Sequence, residues 1–329
     1  MNKYIRERWI DISKGILIIL VVMGHSIPGP YYDLDNGIDF VYLFHMPAFF
    51  ILAGYLYKPI SENENIIKAI LKRSKRILIP YIVYLILLSI PEIVLMIVNN
   101  VDKNTIGIYV LNMVRGGKYI NYPNGALWFL TCLLFTEIIF MIIDKYLKKI
   151  EFKVIIIFIL YSIAHLEAWF KPHNYMFLAV DISLMTIAYF SIGALGKKYI
   201  INKNTAFIST LIVISFLFLK KNGVINYGLE LWPNYYIDYY LDLIIPIGFS
   251  LCLFNFIAYI QEKKRLNILS ELGKVTLPIM CLHNLINYYL LNYFFSYGIV
   301  MFTIIGVTIP YILARKLFVK NKMIKKIFM

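Results

Sequence analysis

The stretch KGILIILVVMGHS, residues 14–26, decides the fold. It is an apolar run between a lysine and a histidine, and it lies within a longer apolar segment, 9–27. A helix of about 20 such residues crosses the hydrocarbon core of a bilayer, which is roughly 30 Å thick. Comparable segments recur along the chain. The sequence therefore predicts an all-α, polytopic integral membrane protein.

We predict ten transmembrane helices in a single domain that covers residues 1–329 and has no appended soluble domain. Their predicted bounds are 9–27, 39–57, 77–98, 126–143, 154–169, 178–196, 205–219, 239–260, 275–295 and 298–318. Between the second and third helices, NIIKAILKRSKR (65–76) has the pattern of a separate basic amphipathic helix on the inner membrane surface. The longest predicted outer segments are 99–125 and 220–238.

The distribution of charge gives the orientation. The chain has 33 Lys and Arg residues against 19 Asp and Glu, a net charge of +14. With the amino terminus inside, the predicted inner segments carry 27 basic residues and the outer segments carry 6. This imbalance follows the positive-inside rule, so both termini are predicted to be cytoplasmic. Since the anionic inner leaflet accounts for the surplus charge, membrane lipid is a predicted partner and nucleic acid is not.

Residues 1–26 also resemble a signal peptide, with a basic start, an apolar middle and small residues near the end. Cleavage there would remove His25 and change the parity of the topology, so we predict that the segment is retained. The three cysteines, Cys132, Cys252 and Cys281, lie within predicted spans and lack paired spacing. The sequence therefore predicts neither a disulfide framework nor a metal site.

The first predicted helix carries three ionisable groups on one face. Lys14 and His25 are eleven residues apart, which turns a helix through about 1100°, close to three full turns, and separates them by about 16 Å along the axis. Asp11 lies one turn before Lys14. An ionisable group within a span is costly unless it faces the protein interior or water, so Lys14 and His25 are candidate functional residues. The alternatives are a snorkelling anchor for Lys14 and a hydrogen-bonded interfacial histidine for His25.

Five stretches of the chain form an ordered series. They are RWIDISKGILIILVVMGHS (8–26), LFHMPAFFILAGYLYKP (43–59), KRSKRILIPY (72–81), GALWFL (125–130) and TLPIMCLHNLI (276–286). Together they resemble the membrane-bound acyltransferase 3 family, and especially its fucose 4-O-acetylase-like branch of surface-polysaccharide O-acetyltransferases. The resemblance covers essentially the whole chain.

The resemblance implies a membrane enzyme that transfers an acyl group, usually acetyl from cytoplasmic acetyl-CoA, to a sugar hydroxyl at or beyond the outer face. The family's first-helix motif pairs an arginine with a histidine eleven residues later. Here Lys14 stands in the place of that arginine. Arg and Lys are not interchangeable where planar, bidentate contacts are needed, so the role of Lys14 is less certain than that of His25.

The family's second motif, two arginines three residues apart, matches Arg73 and Arg76 at the inner end of the third span. A guanidinium group suits phosphate oxygens, so these two residues are predicted to bind the phosphates of CoA. The alternative is further positive-inside charge, of the kind that Lys72 and Lys75 provide nearby.

His25 is then predicted to act as a general base that takes the proton of the attacking hydroxyl, or as a transient acyl carrier; we favour the base. His45 enters the second span at a similar depth from the outside, so the two imidazoles are predicted to face one another. Pro47 is predicted to loosen the helix just past His45. A structural, hydrogen-bonded histidine is the alternative for His45.

Four more residues are predicted to contact the acceptor. Trp128 and Asn124 lie at the outer mouth of the fourth span, where a sugar ring could stack on the indole, although aromatic residues belong at that depth in any case. Glu137 lies in mid-span, and its alternative is a buried acid paired with a neighbouring helix. His283, which is close to two asparagines in the ninth span, completes the set.

The sequence thus predicts a passage that joins an inner acetyl-CoA site to an outer acceptor site in a bacterial plasma membrane. The acceptor is predicted to be a sugar of a surface polysaccharide or a lipid-linked precursor, which itself reaches the membrane domain or does so through a glycan-assembly partner protein. Two alternatives remain open at this level. One is a glycan or lipid-linked-sugar transporter without chemistry, and the other is a degenerate family member that acts only as a partner in glycan assembly.

Overall fold

A computed structural model gives the fold. It describes all of the chain except residues 1–6, 27–38, 121–122, 171–175, 233, 237, 263–265, 295, 319–327 and 329. The α-helices are α1 (Arg8–Gly24), α2 (Asp39–Tyr42), α3 (His45–Tyr55), α4 (Ile66–Val98), α5 (Lys103–Arg115), α6 (Trp128–Tyr146), α7 (Ile150–Phe170), α8 (Val180–Leu195), α9 (Lys197–Ile200), α10 (Lys203–Lys221), α11 (Leu241–Ile260), α12 (Asn267–Gly273), α13 (Thr276–Tyr293) and α14 (Ile299–Leu313). The described residues form no β-strand, so the prediction of an all-α fold is confirmed.

Six helical segments in the described part of the chain are long and apolar enough to cross a membrane. They are Ile66–Val98, Gly125–Tyr146, Phe177–Leu195, Lys203–Lys221, Leu241–Ile260 and Ile299–Leu317. A helix overlaps each of the ten predicted spans, but some of the helices are short: α1 has 17 residues and α3 has 11. The protein is therefore a multi-pass membrane protein, while the count of ten spans and the cytoplasmic termini stay predictions.

The helices group into two compact units. The first unit comprises Met1–Tyr57, Tyr189–Glu230 and Tyr236–Thr276, and the second comprises Lys58–Ala188, Leu231–Tyr235 and Leu277–Met329. Neither unit is continuous in sequence, because each is built from three separate segments. The prediction of one transmembrane domain without a soluble appendage stays a prediction.

The third span differs from its prediction. The amphipathic segment 65–76 is not a separate helix but forms the first turns of α4, which runs for 33 residues. The side chain of Asn65 caps this helix by accepting hydrogen bonds from the backbone N–H groups of Ile67 (2.9 Å) and Lys68 (3.2 Å). The first helix-breaking residue after Ile66 is Pro80, and no glycine lies between the two, so nothing interrupts the first turns of α4.

The second predicted span is also divided differently. It breaks between α2 and α3, just before His45, rather than just past His45 as predicted. Pro47 lies in the first turn of α3, where a backbone N–H would have no partner within the helix. Pro47 therefore fits the start of a helix, and His45 is the first residue of that helix.

One end of the second unit is held by lysines. Lys145 Nζ donates to the carbonyl oxygen of Glu62 at 2.6 Å, and Lys148 Nζ pairs with Glu62 Oε1 at 3.0 Å. This hydrogen bond from Lys148 holds the pKa of the Glu62 carboxyl below its ordinary value. The contacts join two segments that are predicted to lie on the same, inner side, 58–76 and 144–153. The contacts are therefore consistent with the prediction that both segments lie on the same side of the membrane.

In the first unit, α12 packs directly on the first half of α1 through glycine. A Cβ atom on Gly15 would lie 2.0 Å from the carbonyl oxygen of Leu269, and one on Gly273 would lie 1.8 Å from that of Asp11. Both neighbours are backbone atoms, which cannot turn aside as a side chain can. The close approach of these two helices therefore depends on the two glycines.

We expect Gly15→Ala to destabilise the protein by about 1–3 kcal/mol or more, because the added methyl group must push two backbones apart. The measurement is the midpoint of thermal unfolding in detergent, which should fall by several degrees. Gly107→Ala is the matched control, since Gly107 also lies within a helix but a Cβ there meets nothing within 4 Å. Its midpoint should stay the same or rise, and an equal response of the two variants would contradict the close contact.

Candidate functional site

His25 directly follows α1 and keeps helical backbone angles (φ −73°, ψ −1°). Its Nδ1 lies 2.8 Å from the carbonyl oxygen of Val21, one turn earlier. A carbonyl oxygen can only accept, so Nδ1 must carry the proton and donate it. In the neutral imidazole the lone pair is then on Nε2, and that nitrogen can take up a proton. The side chain is half-buried.

His45 has the same arrangement at the start of α3. Its Nδ1 donates to the carbonyl oxygen of Val41 at 2.6 Å, and its side chain is only 3% exposed. The structure brings it close enough to His25 for the two imidazoles to interact electrostatically. Tyr42 packs against His45 and against the residue before His25: its ring meets that of His45 edge to face, with 5.2 Å between centroids, and its hydroxyl lies against Gly24.

Lys14 lies three turns before His25 in the continuous helix α1, as the spacing predicts. Its side chain is half-buried and interacts with other groups. The neighbouring Asp11 is buried, and its backbone is the surface on which Gly273 of α12 packs. Lys14, His25 and His45 thus belong to one compact unit.

In the second unit, Arg73 and Arg76 of α4 share a carboxylate partner on α6. Arg73 Nη1 donates to Glu137 Oε1 at 2.7 Å, and Arg76 Nη2 lies 3.3 Å from Glu137 Oε2. Arg73 also donates to the carbonyl oxygen of Lys58. The side chain of Arg73 is 17% exposed and that of Arg76 is 71% exposed, so the first guanidinium is fixed and the second is largely open to solvent.

Glu137 was predicted to contact the acceptor, with pairing to a neighbouring helix as the alternative, and the structure shows that pairing. Its side chain is 9% exposed. Two guanidinium groups against one carboxylate leave a surplus of one positive charge, and the acid fixes the direction of the Arg73 fork. The surplus positive charge of the two guanidinium groups is suited to attract a phosphate.

Asn124 and Trp128 lie at the start of α6, and both are buried. Asn124 Nδ2 donates to the hydroxyl of Tyr109 at 3.2 Å. The Trp128 ring packs against Phe129, with 6.3 Å between centroids, and is only 8% exposed. The indole is thus largely enclosed by its neighbours, and its contact with the acceptor stays a prediction.

His283 is fully buried in α13, and its Nδ1 donates to the carbonyl oxygen of Ile279 at 3.0 Å. The adjacent Asn284 is buried as well, and Asn287 donates to the carbonyl oxygen of Phe302 on α14 at 3.2 Å. The bond from Asn287 joins α13 to α14, whereas that of His283 stays within α13. His283 therefore lies in the second unit with Arg73, Arg76, Asn124, Trp128 and Glu137, whereas His25 belongs to the first unit.

The sequence analysis missed a second buried charge pair in that unit, between Lys118 and Asp181. Lys118 lies in a turn predicted as an outer loop, and Asp181 begins a predicted span 63 residues later. No local spacing connects the two residues. The only signal in the sequence is the single acid at the start of an otherwise apolar segment, 178–196. Within the described ranges, no group of three or more His, Cys, Asp or Glu side chains could hold a metal ion.

Comparison with known proteins gives one match over most of the chain. A family model described as "Acyltransferase domain" matches residues 7–315. The chain is 34% identical to nodulation protein NolL of Sinorhizobium fredii over 90 residues, which is 26% of this chain and 25% of that protein. It is 31% identical to nodulation protein NolL of Mesorhizobium japonicum over 81 residues, 23% of this chain and 22% of that protein. The chain thus matches about a quarter of the length of these relatives, and no solved structure matches it significantly.

Proposed function

The chain belongs to the acyltransferase 3 family, and on that basis we propose that it moves an acetyl group from cytoplasmic acetyl-CoA to a sugar hydroxyl. The observation that carries this proposal is the match of the acyltransferase domain to residues 7–315, nearly the whole chain. The acceptor is a cell-surface or lipid-linked glycan of a bacterial plasma membrane, presented directly or by a glycan-assembly partner protein.

In the proposed reaction, His25 is the general base. Nε2 takes the proton of the sugar hydroxyl as the oxygen attacks the thioester carbonyl carbon. The C–S bond then breaks, the acetyl ester forms, and the CoA sulfur leaves as the thiol with the proton from the imidazolium. The hydrogen bond from Nδ1 to Val21 supports this role because it fixes the tautomer and the orientation of the ring. His45 assists as the neighbouring imidazole, and Lys14 supplies positive charge from α1, the helix that His25 follows.

Arg73 and Arg76 bind the phosphates of CoA in this proposal. The support is their place on one helix face, the surplus positive charge beside Glu137, and the high exposure of Arg76. Glu137 then orients Arg73 rather than contacting the acceptor. Asn124, Trp128 and His283 remain candidates for acceptor contact.

The test uses the purified protein in lipid vesicles with [acetyl-14C]acetyl-CoA and methyl glycosides of glucose, galactose, N-acetylglucosamine and fucose. Label that appears in an alkali-labile ester of a glycoside supports acetyl transfer. The same vesicles are assayed for movement of a fluorescent lipid-linked sugar between leaflets. Movement of that lipid without any ester formation would replace the enzyme with a transporter.

A further inference from the structure

Three segments of the second unit meet at Asp181, near the start of α8. Lys118, from the turn Gly117–Tyr119, donates to Asp181 Oδ2, and Asn234 Nδ2 donates to the same oxygen at 2.9 Å. The side chains of Lys118 and Asp181 are fully buried. Asp181 Oδ1 is also buried, and it accepts no hydrogen bond from the described residues. Both donors therefore meet one oxygen of the carboxylate, and the other oxygen retains its capacity to accept.

This arrangement is costly for a purely structural contact. A buried ion pair gains little net stability over apolar side chains of similar volume, because both charges lose their hydration. Burial lowers the pKa of the Lys118 ammonium below its ordinary value, although Asp181 acts in the opposite direction. A buried carboxylate oxygen without a donor adds a further penalty. Such a group calls for a partner that binds from outside the described structure.

Two more buried polar atoms belong to residues that lie near members of this cluster, one in sequence and one in space. Trp232, two residues before Asn234, has a buried Nε1 with no hydrogen-bond acceptor in the described part of the chain, and the Tyr81 hydroxyl is in the same situation. That hydroxyl lies beside the backbone of Gly116, two residues before Lys118, because a Cβ there would be 2.7 Å from it. The segments that form the cluster thus offer an acceptor, an N–H donor and a hydroxyl. We call Tyr81, Lys118, Asp181, Trp232 and Asn234 the Asp181 cluster.

The backbone around the cluster is strained. Leu178, Ala179 and Asn234 have φ values of 55°, 59° and 70°, in the left-handed region that residues other than glycine rarely adopt. Asparagine tolerates this region, but leucine and alanine do so only at a cost. Strain of this kind persists where the surrounding structure enforces a geometry.

We propose that the Asp181 cluster binds the acceptor sugar, with Asp181 Oδ1 accepting a hydrogen bond from one sugar hydroxyl. This inference rests on the proposed function. The charges of Lys118 and Asp181 cancel, so this pair leaves no surplus positive charge to bind a phosphate. Arg73 and Arg76 differ, because two guanidinium groups face one carboxylate. Sugar hydroxyls both donate and accept, so one hydroxyl can donate to the unused carboxylate oxygen and another can accept from the unused N–H.

The positions of Lys118, Asp181 and Asn234 agree with this assignment, because all three come from the outer ends of predicted spans or from predicted outer segments. Tyr81 differs: it lies near the inner end of the predicted span 77–98, eight residues after Arg73 in α4 and about 12 Å from it along the helix axis. One helix thus carries the proposed donor contact and one wall of the proposed acceptor site.

The test is Asp181→Asn, assayed by acetyl transfer to the methyl glycosides named above. The KM for the best glycoside should rise about tenfold or more, the usual effect of losing a hydrogen bond to a charged group, while kcat and the KM for acetyl-CoA change less than about twofold. Asp144→Asn is the matched control, because it breaks another ion pair of the same unit, with Lys153 at 2.5 Å. This control should leave the KM for the glycoside unchanged.

Monodeoxy glycosides identify the hydroxyl that is bound. With the wild-type protein, the analogue that lacks this hydroxyl should have a KM raised as much as Asp181→Asn raises the KM for the full glycoside. With the Asp181→Asn variant, removal of the same hydroxyl should raise the KM no further. The proposal would be overturned if the effects of Asp181→Asn and of hydroxyl removal on the KM were additive at every hydroxyl, or if Asp181→Asn left the KM unchanged. Lys118 and Asp181 would then form a structural contact or a water site.

Where Asp181→Asn fails to fold, Trp232→Phe and Tyr81→Phe decide the question, since each removes one buried polar atom and keeps the ring. A raised KM for the glycoside with either variant supports the acceptor site, and an unchanged KM with both overturns it. A wild-type protein that acetylates none of the acceptors overturns the proposed function itself. The two failures are therefore distinguishable.

Discussion

His25→Ala is expected to lower the turnover of acetyl transfer by a factor of about 10²–10⁴, which is the usual contribution of a positioned general base. The carbonyl of Val21 holds the proton of the imidazole on Nδ1, so Nε2 is the nitrogen that can act as the proposed base. Alanine leaves no group to take the proton of the hydroxyl. The measurement is the rate of label transfer at saturating acetyl-CoA and glycoside.

His165→Ala is the matched control for this result. His165 makes the same bond from Nδ1 to a carbonyl one turn earlier, that of Tyr161 at 3.1 Å, but it lies in α7 of the second unit. Its replacement removes an equivalent imidazole and an equivalent backbone contact, and should leave turnover within about twofold. Binding of acetyl-CoA should survive in both variants. Full turnover by His25→Ala would exclude both the base and the acyl-carrier roles.

Arg73→Ala is expected to raise the KM for acetyl-CoA by about 10- to 100-fold, the effect of losing one or two charge-assisted hydrogen bonds to phosphate. Arg76→Ala should have a smaller effect, because its more exposed guanidinium is held at longer distances. Arg73→Lys should restore little, since an ammonium group cannot contact Glu137, the Lys58 carbonyl and a phosphate as a planar fork does. The measurement is the initial rate across a range of acetyl-CoA concentrations.

Two further variants distinguish a phosphate contact of Arg73 from the effect of general positive charge and from neutralisation of Glu137. Lys75→Ala removes the same charge from an exposed position on the same helix, and the KM for acetyl-CoA should hardly change. Arg73→Gln combined with Glu137→Gln removes both members of the pair, so that no uncompensated charge remains buried. A normal KM in that double variant would show that Arg73 serves only to neutralise Glu137.

The sequence was most informative about features that depend only on residues close together in the chain. Apolar runs predict helices because each backbone group must be satisfied within its own segment in a membrane, and a helix overlaps every predicted span. Lys14 and His25, or Arg73 and Arg76, are related by helical spacing alone. The same rules missed the continuity of α4, because a change from charged to apolar residues resembles a boundary although no residue there ends the helix.

Contacts between distant segments could not be predicted in this way. Glu137 is 64 residues from Arg73, and Asn234 is 53 residues from Asp181, so only packing brings them together. The burial of Trp128 likewise depends on its neighbours in space. The sequence therefore predicted candidate side chains but not their partners, and Lys118 in a predicted loop gave no sign that it is buried.

The length of α4 determines where the two arginines can lie. At 33 residues this helix is about 50 Å long, whereas a bilayer's hydrocarbon core is about 30 Å thick. A helix of this length must tilt, bend at Pro80 or Pro91, or project beyond the bilayer, and its charged first turns are the part suited to project. The distance from the lipid surface to Arg73 and Arg76 should consequently grow as acyl chains become shorter, so we expect the proposed binding of the donor by these arginines to depend on bilayer thickness.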